Sequence, residues 1–225
     1  PGSWSAAVAA LPPVGSEESA WIAALLAQLA ARVAQWLAER PGSGAALPVP
    51  PALWGRPSGL RCLDEVVRSV WDEGWSHHIT RLMVIGNLMT LLGVSPRALA
   101  DWFWVAYVDA YDWVVEPNVL AMATFGTDRL TTKPYVSGAA YLARMGDYCR
   151  GCRFDPKRDC PVTPMYWAFL AEHAALLGRN PRVSGPVASA LRRDQATRAR
   201  DRQVLERVRA RLLAGEVVEG GGLFG

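Results

Sequence analysis

Four cysteines constrain this chain more than any other feature: Cys62, Cys149, Cys152 and Cys160. Three are clustered and the fourth lies far upstream. If they share one centre, the fold must bring residue 62 back against the 149–160 segment. Cys149 and Cys152 form a C-x2-C pair, and Cys160 is followed directly by Pro161. No signal-peptide layout is present, and this spacing suits disulfides poorly. Structural zinc usually asks for two knuckles or Cys/His pairs, and here there is one C-x2-C. A Cys-Pro ligand recurs at iron–sulfur sites. Arg150, Arg153, Lys157 and Arg158 are placed to offset thiolate charge. The spacing favours an iron–sulfur cluster, with zinc and unrelated core thiols as the alternatives.

The rest of the chain reads as helical. Residues 1–15 are rich in Ala, Pro and Gly, and a helix is expected from Ser16 to about Arg40, ended by Pro41-Gly42. Its Trp21, Leu25, Leu29, Val33 and Trp36 form an apolar stripe suited to covering a neighbouring surface. A Pro-rich linker follows to Pro57. Helices are predicted from Leu63 to Glu73, from His78 to Leu92, and from a Ser95 cap with Pro96 to about Trp113. Glu116-Pro117-Asn118 is expected to break the last of these. Ser137 should cap a helix to about Tyr148, and Cys149–Pro161 should be a compact basic loop. A helix from Thr163-Pro164 ends near Gly178. A charged helix spans about Asp194 to Leu213, before a Gly-rich tail. No strand pattern or internal repeat is present, so the fold class is all-α.

Hydrophobic types make up 51% of the 225 residues, enough for a real core. The net charge of +3 and pI near 8.9 permit nucleic-acid binding without requiring it. No apolar run approaches the roughly 18 residues of a membrane span. The expectation is a soluble, cytoplasmic chain with no membrane partner. In the last helix, Arg192, Arg193, Arg198, Arg200, Arg202, Arg207, Arg209 and Arg211 could meet phosphates. Interspersed Asp194, Asp201 and Glu206 equally suit a solvated helix.

Two of the three histidines are adjacent, His77-His78. They suit either a surface helix start or a reactive pair. Arg81 lies in an apolar helix and needs a carboxylate. Asp109 is the candidate, because Trp102, Val105, Ala106 and Asp109 share one face of the next predicted helix.

These residues together resemble a known family. The matching pieces are Trp54-Gly55, Ser58 to Leu63, His77 to Met83, Tyr107 to Val114 and Pro117-Asn118. They continue with Lys133-Pro134-Tyr135, Tyr141, Arg144-Met145, Tyr148 to Pro156, and Cys160-Pro161. About 130 residues, from Trp54 to about Val183, resemble the helical C-terminal half of the iron–sulfur bacterial cryptochromes and photolyases, which include the prokaryotic (6-4) photolyases. The resemblance implies an all-α, FAD-binding helical domain. It implies that Cys62, Cys149, Cys152 and Cys160 ligate a [4Fe–4S] cluster. FAD would lie near His78, Arg81, Leu82, Asp109, Tyr111, Asp112 and Asn118. His77, His78, Tyr135 and Tyr141 would face a damaged-base pocket, and Trp54 and Trp102 would pass electrons to the flavin. The implied activity is light-driven repair of a pyrimidine (6-4) photoproduct in UV-damaged DNA.

The family's α/β antenna domain has no counterpart, and residues 1–53 offer no phosphate-gripping loop. The chain is therefore expected to be a fragment or shortened form, with a partner chain as one source of the missing half. Val115 stands where the family carries an acidic residue two places before Pro117, and Phe103 stands where an oxidisable Tyr is common. The expected organisation is a tail, helix and Pro-rich linker over 1–53, the photolyase-like domain with its cluster over 54–183, and a basic helix and Gly-rich tail over 184–225. The competing functions are a non-repairing cryptochrome-like photosensor and a flavin-free iron–sulfur nucleic-acid-binding subunit, similar in architecture to the large primase subunit's iron–sulfur domain.

Overall fold

In the computed structural model, residues 46–124, 135–221 and 223 are described, all within one unit of the chain, Gly42–Gly225. The helix expected over 16–40 and the residues Lys133 and Pro134 lie outside the described residues. Among the described residues there are helices, turns and one isolated bridge between Leu47 and Val94, so the all-α expectation holds there. No described helix is long and apolar enough to cross a membrane.

The segment read as an extended linker instead ends in a 3₁₀ turn, Pro51–Trp54, with Leu53 fully buried. Helix α1 (Arg61–Glu73) buries Leu63, Val66, Val67 and Val70, the i, i+3, i+4, i+7 stripe of an amphipathic helix. It stops at Gly74, whose φ of 65° is the left-handed conformation that glycine adopts without strain. Helix α2 (78–92) runs from His78 as predicted, but its middle, Arg81–Gly86, is π-helical.

Helix α3 (Pro96–Ala106) begins as expected, with Ser95 Oγ accepting from the Ala98 N–H. It ends well short of Trp113. The Val108 N–H donates to the Gly74 carbonyl at 2.9 Å, so a tertiary bond takes the donor that continued helix would have used. Helix α4 (112–123) then passes straight through the predicted break. Its second part, Glu116–Ala123, is π-helical, and Asn118 Nδ2 donates to the Val114 carbonyl at 2.7 Å. The widened turn makes room for the Pro117 ring, and the side chain supplies a donor near the one proline lacks.

Ser137 does not cap helix α5 (Ala139–Met145). Its N–H and carbonyl are engaged by the buried Asn87 amide, while Thr163 Oγ1 accepts from the Ala139 N–H. Helix α6 (Val162–Glu172) is followed by the separate turn α7 (Ala174–Leu177). Helix α8 (Ser184–Arg192) was not predicted. Helix α9 (Gln195–Leu213) is capped by Asp194 and packs on α6. It is not solvated all round: Asp201, Val204, Leu205, Val208 and Leu212 are buried, and Asp201 pairs with Arg193 at 2.9 Å.

Candidate functional site: a histidine-rimmed cleft and a nest of four thiols

The two π-helical turns face each other. A Cβ on Gly86 would come within 2.8 Å of Ala123 Cβ, so the absence of a side chain there sets their approach. A π turn adds a residue to a helix and re-aims the side chains around it, and such turns are frequent at functional sites. Beside this contact lies a small cleft lined by His78, Arg81, Leu82, Phe103, Tyr107 and Asn118 together with small apolar residues. Four of the residues nominated for flavin binding, His78, Arg81, Leu82 and Asn118, therefore meet at one place. Tyr111 is exposed and is not among the lining residues. The Asp112 side chain lies outside what is described.

Arg81 organises the cleft wall. Its Nη1 and Nη2 each donate to one Asp109 carboxylate oxygen at 2.9 Å, and its Nε donates to the Ser76 carbonyl at 2.8 Å. Its guanidinium carbon stands 4.2 Å from the centre of the Tyr107 ring and 5.8 Å from that of Trp75. The pair expected from sequence is formed, though not for the expected reason. Asp109 lies beyond the end of α3, on the turn held by the Val108–Gly74 bond. Arg81 is 12% exposed and Asp109 42%, so the carboxylate reaches water while the guanidinium does not.

Tyr107 was not nominated, yet it forms part of the wall. It stacks on Phe103 at 4.9 Å, and its hydroxyl shares a 2.8 Å hydrogen bond with Ser76 Oγ. Burial pushes its phenol up to about 12.

The histidines sit exposed at the start of α2. His77 Nδ1 accepts from the Ile79 N–H at 3.1 Å, capping the helix. This bond requires an unprotonated Nδ1 and so places the neutral ring's proton on Nε2. His78 turns into the cleft. The two histidines thus have different surroundings. Tyr135 is half-buried, and Tyr141 lies on α5 with the Arg144 guanidinium 5.7 Å from its ring centre; neither lines the cleft.

Trp102 is 1% exposed and meets Phe103 and Tyr107 edge-on at 5.2 and 5.9 Å. Its indole N–H donates to the Leu53 carbonyl at 3.0 Å, and the Trp71 indole donates to the same oxygen at 2.9 Å. Trp71 in turn packs on Trp54 at 5.7 Å. The aromatic series therefore runs from the cleft wall to the surface, where Trp71 and Trp54 are 42% and 51% exposed. Sequence reading named its two ends and missed Trp71, which carries no signal beyond being a tryptophan on α1.

The cysteines form the second centre. Arg61 Nη1, one residue before Cys62, donates to the Arg150 carbonyl at 2.7 Å and ties α1 to the C-x2-C loop. A Cβ on Gly151, where φ is 78°, would lie 2.5 Å from that nitrogen. The Asp155 carboxylate accepts from the Lys157 and Arg158 N–H groups, and its carbonyl accepts from the Cys160 N–H at 3.0 Å. This rigid turn aims Cys160. Burial is the leading cause that raises the Cys62 thiol pKa, and it pushes Cys160 up to about 12; Cys62 and Cys160 each also feel the other three or two thiols. Arg150, Arg153, Lys157 and Arg158 are exposed, and the other charges felt by the loop thiols are those of Asp155 and Asp159.

Among the described residues, no three His, Cys, Asp or Glu side chains are arranged to grip a single metal ion.

No family model matches the chain. It is 37% identical over 156 residues to a (6-4) photolyase of Agrobacterium fabrum, a match covering 67% of this chain and 31% of that protein. It is 36% identical over 66 residues to an uncharacterised protein of Acanthamoeba polyphaga mimivirus, covering 29% of this chain and 54% of that one. The chain thus spans under a third of the photolyase's length. Over two thirds of its own length it is similar to a (6-4) photolyase, a kinship that supports the photolyase family.

Proposed function

We propose that this chain is the helical part of a light-dependent DNA repair flavoprotein of the (6-4) photolyase type, carrying FAD and a [4Fe–4S] cluster. The observation that carries this reading is the convergence of His78, Arg81, Leu82 and Asn118 on one cleft, in a chain related to a (6-4) photolyase. When bound and excited by blue light, reduced FAD supplies one electron to a pyrimidine photoproduct and takes it back after the bond rearranges.

The residues of this chain bind, orient and move protons. Arg81, held by Asp109 and Ser76, presents a fixed positive charge at the cleft wall and favours an electron-rich ring beside it. Asn118 donates its amide to Val114, which leaves its Oδ1 as the acceptor for a ring N–H. His78 is the proton donor to the lesion. His77 is less suited, because a proton on Nδ1 would face the Ile79 N–H. His77 instead offers Nε2 as a hydrogen-bond donor. The exposed rim lets a nucleotide flipped out of the duplex reach the histidines. Trp54, Trp71 and Trp102 form the route by which an electron from outside re-reduces the flavin. Cys62, Cys149, Cys152 and Cys160 would hold the cluster.

The test is an absorption spectrum of the protein purified without oxygen, with iron and sulfide assays, followed by blue-light repair of an oligonucleotide carrying one (6-4) photoproduct. Structured flavin bands, an iron–sulfur shoulder and light-dependent repair are expected. Both cofactors without repair would instead make the chain a photosensor. A cluster without flavin would make it a nucleic-acid-binding subunit or half-site that needs a partner chain.

A further inference from the structure

Every basic residue of α9 is an arginine, and the acids set among them suit a solvated helix as well as a phosphate-binding one. The structure separates the two, because each acid is already engaged. Asp194 caps the helix, with Oδ1 accepting from the Thr197 N–H at 2.8 Å and Oδ2 from the Thr197 hydroxyl at 2.6 Å. Asp201 is buried and accepts from Arg193 Nε at 2.9 Å. Glu206 stands four residues after Arg202, the spacing of a helical ion pair, yet it accepts from Arg209 Nη1 at 2.7 Å instead. The Arg198 and Arg202 side chains are exposed and have no hydrogen-bond or ion-pair partner among the described residues. They too are four residues apart, and like charges at that spacing oppose each other. This pair does nothing for the helix that carries it.

At about 100° per residue, buried Val204, Leu205, Val208 and Leu212 face inward, and exposed Ala196, Ala199, Gln203 and Ala210 form the outward crest. Arg198 and Arg202 lie on one flank of that crest, and exposed Arg200 lies on the other. Arginines a helix width apart, about 10–12 Å, fit the two phosphate rows that border a groove about 12 Å wide. A guanidinium also donates two parallel hydrogen bonds to phosphate oxygens. The crest carries no large apolar side chain, so it offers neither the anchor of a protein interface nor the wedge of a membrane-surface helix. Helix α2 begins at His78, on the cleft, and ends at Leu92, whose carbonyl accepts from Arg209 Nε at 2.8 Å. About 20 Å of helix therefore separates the cleft from the crossing of α9. We propose that the Arg198–Arg202 face of α9 is a docking surface for the phosphates of duplex nucleic acid, separate from the cleft and indifferent to base sequence and damage. It requires neither flavin nor cluster, so it stands apart from the repair reading.

The test measures binding of the full chain to a labelled duplex by fluorescence anisotropy, from about 50 to about 200 mM salt, with and without one (6-4) photoproduct in the duplex. Arg198→Gln/Arg202→Gln is compared with Arg68→Gln/Arg97→Gln, which removes the same net charge from exposed arginines paired with Asp72 and Asp101. Helix content by circular dichroism checks folding. The α9 variant should bind the undamaged duplex at least about fivefold more weakly at about 100 mM salt, with the slope of log K against log salt smaller by about 2. The other variant should stay within about twofold of the parent. Preference for the damaged duplex, which belongs to the cleft, should be unchanged in both. Equal weakening in both variants would mean that net charge alone governs binding and would overturn the surface. So would a loss confined to the damaged duplex, or tighter binding to phosphatidylserine vesicles than to the duplex. If the double variant fails to fold, each single substitution decides, with a slope change of about 1. Duplex binding that depends on Arg198 and Arg202 in a chain without repair activity would keep this surface and remove the repair reading. Repair with undiminished duplex binding in the α9 variant would do the reverse.

Discussion

The cleft and the cysteine nest are built on opposite principles. In the cleft, the buried charge is answered within the chain: Arg81 has Asp109, the Ser76 carbonyl and the Tyr107 face. In the nest, the framework is firm but the interior is self-opposed. Cys62 and Cys160 are pushed up by burial and by the other thiols, and Asp159 adds to the effect at Cys160. The cleft is therefore complete before any guest arrives. On the proposed cluster reading, the nest would be completed by a cation-rich guest that makes thiolates favourable.

The largest effect should come from removing one thiol. Cys62→Ser should lower iron from about four per chain to nearly none, the count of a four-iron cluster. The same variant should change the urea stability of metal-free protein by under about 1 kcal/mol. Iron bound at full content by the variant would break the contrast. The cleft should behave in the reverse way. Asp109→Asn should cost about 1–3 kcal/mol without any ligand, because a mostly buried guanidinium loses its charge partner while the open side of the pair stays hydrated. A loss of only a few tenths in urea denaturation would mean that Ser76 and Tyr107 suffice.

A pH series sharpens the same point. Tyr107 titrates near 12 folded and near 10 unfolded, so between these values the unfolded chain has released a proton that the folded chain keeps. Stability should fall as pH rises through this window, by on the order of 2 kcal/mol, and that drop should be absent in Tyr107→Phe. Denaturation curves at several alkaline pH values check the sign. The smallest structural effect is expected at Trp71→Phe, within about 1 kcal/mol of the parent, since the ring still packs on Trp54. Steady illumination with an external reductant should nevertheless show flavin reduction slowed at least several-fold. An unchanged rate would remove Trp71 from the electron route.

Some of this was legible in the sequence because it rests on chemistry that few residue types provide. An arginine in an apolar helix demands a carboxylate, and Asp109 supplies it. The stated reason, a shared face of one long helix, fails because α3 ends where the Val108 N–H finds Gly74. The four cysteines were expected to share one centre, with their basic neighbours offsetting thiolate charge; those neighbours stand exposed on the loop. Where tertiary bonds outbid local signals, reading by pattern went astray. Ser137 looked like a helix cap, yet distant Asn87 holds it. No helix was expected between Gly178 and Asp194, yet Ser184–Arg192 forms α8. The π turns left no mark, since a hydrogen bond shifted by one residue requires no particular side chain. Trp71 carries no signal in the sequence, because its place in the aromatic series depends on a carbonyl that it shares with Trp102.

The facing π turns also bear on how such a cleft could arise and be lost. One residue of helix corresponds to about 100° of rotation. Deleting a single residue from Arg81–Gly86 would restore ordinary helical winding and swing everything before it, His78 and Arg81 included, around the axis relative to Asn87 and the buried residues beyond. The core would keep its packing while the pocket lost its lining. A single-codon insertion in each of two plain helices is thus enough, in principle, to separate a structural helical bundle from one with a cleft.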